Sequence, residues 1–94
     1  VDAMRDAATT VLTGTHDFAA FGQLDEPGRS TVRHMEAWTF DETDEQLYLT
    51  VRGNAFLRSQ VRAFAGTLVA VGLGKLSATD VARIRDSRDR AQSP

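Results

Sequence analysis

The chain has 94 residues, 41% of them hydrophobic, with a formal net charge of -2 and no cysteine. That length makes one domain or part of one, since domains run from about 50 to 250 residues, and the apolar content excludes disorder by composition. No apolar run approaches the roughly 20 residues that span a bilayer, and without cysteine there is neither a disulfide framework nor a thiolate metal site; a reducing, cytoplasmic location is expected.

The opening Val1-Asp2-Ala3-Met4-Arg5-Asp6 is polar and helical in pattern, so no signal peptide is expected. Asp2 can cap a helix running to about Thr13, with Met4, Ala7, Ala8, Val11 and Leu12 on one side and Gly14 at its exit. The segment Gly14-Thr15-His16-Asp17-Phe18-Ala19-Ala20-Phe21 follows. A histidine beside an aspartate has the parts of a general base, but no serine or cysteine is marked as its nucleophile. Phe18 and Phe21 therefore read as core anchors and the polar pair as the fixing of a turn. His34, the other histidine, has no metal-ligand spacing to His16, and no metal is expected.

Residues 23 to 30 contain Asp25-Glu26-Pro27-Gly28, the composition of an exposed turn. A strand is predicted from Ser30 to about Phe40. Its apolar residues fall in two phases, Val32, Trp38 and Phe40 against Met35 and Ala37, so coverage on both faces is expected. After the acidic tip Asp41 to Glu45, Leu47, Leu49 and Val51 alternate with Tyr48, Thr50 and Arg52, the pattern of a half-buried strand. Two strands joined by five residues predict an antiparallel hairpin. An isolated hairpin is marginal, and the pattern requires other strands to complete its sheet.

The second strand turns into a long helix, predicted from Ala55 to Val71 after Gly53 and Asn54. Leu57, Val61, Phe64, Leu68 and Val71 form its apolar stripe, so the helix is expected to be mostly buried. Arg58 and Arg62 then stand one turn apart on one flank near its start. Cations at the positive end of a helix call for an anion, either a carboxylate or a phosphate. Charge is segregated in the same sense, with ten acids against three arginines in residues 1 to 47 and three acids against eight bases in residues 48 to 94. Ten of the chain's eleven bases are arginine, the better residue for bidentate recognition of phosphate or carboxylate. Gly72 and Gly74 end the helix, and Ser77-Ala78-Thr79-Asp80 predicts a capping box with Leu76 and Val81 as its hydrophobic staple. The last helix continues through Ile84, with Arg85 to Asp89 and Asp86 to Arg90 spaced as one-turn ion pairs.

Several of these pieces resemble, in order, the carboxy-terminal half of the tRNA pseudouridine synthases of the TruA type. They are Gly14-Thr15-His16-Asp17-Phe18 with Phe21, the Thr31-Val32-Arg33 that opens the first predicted strand, Gly53-Asn54-Ala55-Phe56-Leu57-Arg58-Ser59-Gln60-Val61-Arg62 with Gly66, Val71 to Ser77, and Asp89-Arg90. The resemblance implies that residues 1–94 form an α+β unit of helix, strand, strand, long helix and short helix, an incomplete part of a larger antiparallel or mixed sheet. It implies a homodimeric enzyme, without cofactor, that isomerises uridine to pseudouridine in the anticodon stem-loop of tRNA. In that family an aspartate acts on the flipped uridine, the glycosidic bond breaks, the uracil turns, and its C5 is joined to the ribose.

The aspartate belongs to an amino-terminal half outside the resemblance, so the 94 residues alone are expected to be inactive. Arg62 matches the arginine that pairs with the aspartate. Phe56 and Leu57 match positions near the pocket wall, and Arg58 a position that is often basic, with phosphate contact expected. Ser59 departs from the more usual histidine. The residues taken alone leave two other readings open, a non-catalytic RNA-binding or dimerisation module and a structural α+β module without a nucleic-acid partner.

Overall fold

Met4, Ala7, Ala8 and Val11 recur at helical spacing and are the buried residues of the first helix, α1, Asp2–Val11. In the computed structural model, which describes residues 2–24 and 28–93, the helix gives way to Gly14 at a φ of 96°. That left-handed value favours glycine. The chain then enters a short strand, β1, Gly14–Asp17. The sequence pattern predicts a turn here and two strands in all, so β1 is an addition. Its four residues carry no apolar alternation, and it is a strand because it pairs with a neighbour, not because of its own pattern.

That neighbour is β2, Val32–Glu42, which pairs on its other side with β3, Leu47–Gly53. The sheet has the order β1-β2-β3 and both pairings are antiparallel. The expected hairpin is present, closed by a turn in which Thr43 N–H donates to the Gln46 carbonyl at 2.8 Å. The two apolar phases of β2 are one inward face interrupted by a bulge. Met35 pairs with Gly53 and Ala37 with Arg52, leaving Glu36 as the extra residue. One inserted residue moves all later side chains to the opposite phase, so Met35 before it and Trp38 and Phe40 after it all pack on the same core. Coverage of β2 on both faces is thus corrected, and Val32 is exposed. The acidic part of the preceding turn, residues 25–27, lies outside the described residues.

The second helix, α2, is Gln60–Gly72, five residues shorter at its start than predicted. Leu57 and Arg58 precede it. Its buried residues are Gln60, Ala63, Phe64, Thr67, Leu68 and Val71, whereas Val61 is 49% exposed. The stripe is therefore rotated from the predicted one and includes two polar side chains. Phe64 sits at the centre of the core, its ring centroid 5.5 Å from Phe18, 5.2 Å from Phe21 and 5.4 Å from Trp38. Val61, Val69 and Leu73 are exposed, so only one side of α2 is buried.

The third helix, α3, is Ala78–Ser87, and its predicted capping box is formed: Ser77 Oγ accepts from Asp80 N–H at 3.1 Å, and Asp80 Oδ2 accepts from Ser77 N–H at 2.9 Å. Arg88 adopts a φ of 56° and ends the helix, so residues 89 and 90 leave the helical track. The predicted one-turn pairs therefore do not form. Arg85 meets Asp86 at 3.0 Å instead, and Asp89 accepts from Ala91 N–H at 3.0 Å at the start of a 3-10 turn, Arg90–Gln92. Helix α1 packs against α2, α3 and β2. The architecture is α+β, with β1 and β3 as edge strands among the described residues.

Candidate functional site

The junction from β3 to α2 carries the residues singled out from the sequence. Asn54 extends the β2–β3 ladder, its N–H donating to the His34 carbonyl and its Oδ1 accepting from His34 N–H, each at 3.0 Å. The chain then crosses to residue 23. Arg58 N–H donates to the Gln23 carbonyl at 2.9 Å and Gln23 N–H to the Arg58 carbonyl at 3.1 Å, an isolated antiparallel bridge. Gly22 permits this approach, since a Cβ there would lie 2.9 Å from the Arg58 carbonyl oxygen and 2.6 Å from Leu57 Cβ. Ser59, at a φ of 64° and with no side-chain capping bond, turns the chain into α2. This route is why Arg58 is not helical.

Phe56, Leu57 and Arg58 come together as one wall of a cleft of about 270 Å³, whose other lining residues are Gln23, Leu24, Arg29 and Arg33. Leu57 is buried in the core, while Phe56 is 41% exposed. Arg33 is anchored through Nη1 to the Ser30 carbonyl at 2.7 Å and the Val32 carbonyl at 2.8 Å. Three arginines and a phenylalanine thus line one opening, residue types that can meet an anion and a flat ring. Nothing in the sequence marks Arg29, and Arg33 is marked only within Thr31-Val32-Arg33. They join the cleft because the start of β2 comes to lie beside the 54–59 segment.

Arg62 stands apart. It is exposed in the first turn of α2 and is not among the residues lining the cleft. The expected flank shared with Arg58 is thus corrected, because Arg58 precedes the helix. Among the described residues Arg62 faces solvent. No acidic residue occupies the first turn of α2. On the same outer side of the helix, Gly66, Val69, Ala70, Leu73, Lys75 and Leu76 border a shallow, mostly apolar depression.

His16 and Asp17 both make contacts that hold the fold. The imidazole Nε2 is 2.9 Å from the Thr13 carbonyl and the ring meets Phe18 edge-on at 5.7 Å. Asp17 Oδ1 accepts from Ala19 N–H at 3.0 Å and from Thr31 Oγ1 at 2.6 Å, which fixes the exit of β1 as an Asx turn and ties it to the approach to β2. Among the described residues no three His, Asp or Glu side chains converge as a metal site.

The fold and the cleft define an α+β domain with an arginine-lined opening at a strand-to-helix junction. The sequence model of the tRNA pseudouridine synthases matches residues 8–94, and the chain belongs to that family. It is 42% identical over 93 residues to the tRNA pseudouridine synthase A of Geobacter sp. (strain M21), covering 99% of this chain and 37% of that protein. It is 36% identical over 91 residues to the enzyme of the same name from Bartonella bacilliformis, covering 97% and 36%, and 44% identical over 82 residues to that of Geobacter sulfurreducens, covering 87% and 33%. The chain thus spans about a third of the length of the curated relatives it matches.

Proposed function

We propose that this chain is the carboxy-terminal part of a synthase that isomerises uridine to pseudouridine in the anticodon stem-loop of tRNA, and that it needs an amino-terminal half bearing the catalytic aspartate for activity. The observation that carries the reading is the 42% identity extending over 99% of the chain. The working enzyme is a cytoplasmic homodimer that binds tRNA across its basic surface and uses no cofactor. The target uridine leaves its stack to react, because stacking hides the reacting atoms.

Phe56 and Leu57 form the apolar wall beside the flipped base, and Arg58 meets a backbone phosphate. Arg62 receives the catalytic aspartate of the other half. Its position supports this role: it lies at the positive end of α2, where a carboxylate is favoured, and it makes no ion pair among the described residues. An arginine beside an aspartate keeps the carboxylate ionised and aims it through two parallel hydrogen bonds. The uncovered apolar side of α2 supports burial of Arg62 once the rest of the synthase is in place.

The test is Arg62→Lys in the chain completed with the rest of a synthase, under single-turnover conditions with saturating enzyme. Lysine keeps the charge and loses the planar fork, so the rate is expected to fall on the order of a hundredfold with tRNA affinity nearly unchanged. Arg58→Lys is expected to be mild. A normal rate for Arg62→Lys would remove Arg62 from the chemistry.

A further inference from the structure

The segment that presents Phe56 and Arg58 to the cleft has one apolar anchor, Leu57, and one polar anchor, Gln60. The Gln60 side chain is fully buried. Its Oε1 accepts from Leu57 N–H at 2.7 Å, and the Gln60 backbone N–H donates to the Leu57 carbonyl at 3.1 Å, so both polar groups of the Leu57 backbone are taken by one residue. Its Nε2 lies 3.9 Å from Met35 Sδ on β2, a weak acceptor. Gly22 closes the junction from the other side, where a Cβ would come within 3.3 Å of Gln60 Cβ.

A primary amide is a costly group to bury unless it is hydrogen-bonded, and an apolar side chain of the same length would fill this place without that cost. What the amide does here that an apolar side chain cannot is hold the peptide between Phe56 and Leu57. The neighbouring Ser59 makes no side-chain capping bond, and the Gln60 oxygen is directed away from the helix. It reaches back to an N–H three residues earlier, outside the helix.

We propose that Gln60 is a positioning residue, setting Phe56 and Arg58 in the cleft through the Leu57 N–H. The inference rests on the reading of that cleft as substrate-binding. Gln60→Met keeps the length and removes the oxygen acceptor, whereas Gln60→Glu keeps an acceptor at the same reach.

Two measurements decide it. In the first, amide hydrogen exchange on the chain, Gln60→Met is expected to lower protection of Leu57 N–H roughly tenfold while α2 from Ala63 onward keeps its protection; Gln60→Glu is expected to retain it. In the second, the chain is completed with the rest of a synthase. Gln60→Met is expected to raise KM for tRNA roughly tenfold with kcat little changed, and to add nothing in a Phe56→Ala, Arg58→Ala background, because residues acting through one another are not additive.

Unchanged Leu57 protection in Gln60→Met overturns the proposal. So does an equal effect on KM in both backgrounds, or a folded Gln60→Glu as impaired as Gln60→Met. Should Gln60→Met not fold, Gln60→Leu, which also removes the acceptor, carries the same decision. A completed wild-type chain with no synthase activity would sink the proposed function instead, while the exchange measurement still decides whether Gln60 holds the segment.

Discussion

Arg85 Nη1 donates to the Val11 carbonyl at 2.8 Å, joining positions 74 residues apart in the chain. Val11 is the last residue of α1, where carbonyls lack helical partners and the macrodipole is negative. The third helix thus caps the first with a cation, and the Arg85 side chain is only 17% exposed. Arg85→Ala is expected to destabilise the chain by about 1.5–3 kcal/mol, the range for hydrogen bonds to charged groups. Arg85→Lys should recover only part of this, because an ammonium cannot reproduce the guanidinium's reach to both Val11 and Asp86. Urea midpoints measure both variants; an alanine variant as stable as wild type would contradict the capping role.

The box at the start of α3 gives a pH dependence. Hydrogen bonds from the Ser77 backbone and side chain, with Arg83 nearby, hold the Asp80 carboxyl below its usual value of 3.8. A carboxyl depressed in the folded state contributes stability that is present above its unfolded value and lost as pH falls through the folded value. The acid limb of a stability profile below about pH 4 should therefore flatten in Asp80→Asn. Ser77→Ala should cost about 1 kcal/mol at neutral pH through loss of the cap. Denaturant midpoints between neutral and strongly acid pH, compared for wild type and Asp80→Asn, would show parallel acid limbs if Asp80 carried none of this dependence.

Two glycines with similar apparent crowding should respond differently to alanine. At Gly22 the added Cβ meets the Arg58 carbonyl oxygen at 2.9 Å and Leu57 Cβ at 2.6 Å. The first belongs to the backbone of the Gln23–Arg58 bridge and the second to a buried side chain at its root, neither free to move aside, so Gly22→Ala should cost about 1–3 kcal/mol and disturb the cleft. At Gly72 the nearest atom is Met4 Sδ at 2.8 Å, near the end of a flexible side chain. Gly72 also lies in α2, where alanine is favoured by up to about 1 kcal/mol. Gly72→Ala should be near neutral, and thermal unfolding of the pair would contradict this account if the order were reversed.

What the sequence disclosed was mostly local. The capping box at Ser77 and Asp80 is defined by four adjacent residues, and it formed as predicted. The β2 bulge left a trace, the switch of apolar phase between Met35 and Trp38, but a phase switch alone does not distinguish a bulge from a strand buried on both faces. Strand β1 left none, because Gly14 to Asp17 are held by pairing with residues 32 to 35. The start of α2 was misplaced because nothing near Ala55 breaks a helix; the Gln23 bridge and the buried Gln60 amide, both tertiary, hold residues 54 to 58 out of it. The same contacts bring Arg29 and Arg33 to Phe56 and Arg58, which no spacing along the chain could reveal.

The central claim is that these residues are one part of a pseudouridine synthase. Pseudouridine formation joins C5 of uracil to the ribose and so releases the hydrogen on C5, and tRNA carrying tritium at uridine C5 reports each conversion as label released to water. The chain alone is expected to release none above background, and the chain completed with an amino-terminal synthase half to release it in proportion to uridine converted. Release by the chain alone would overturn the assignment of the aspartate to the other half, and a folded, tRNA-binding, completed enzyme that releases no label would contradict the synthase reading itself.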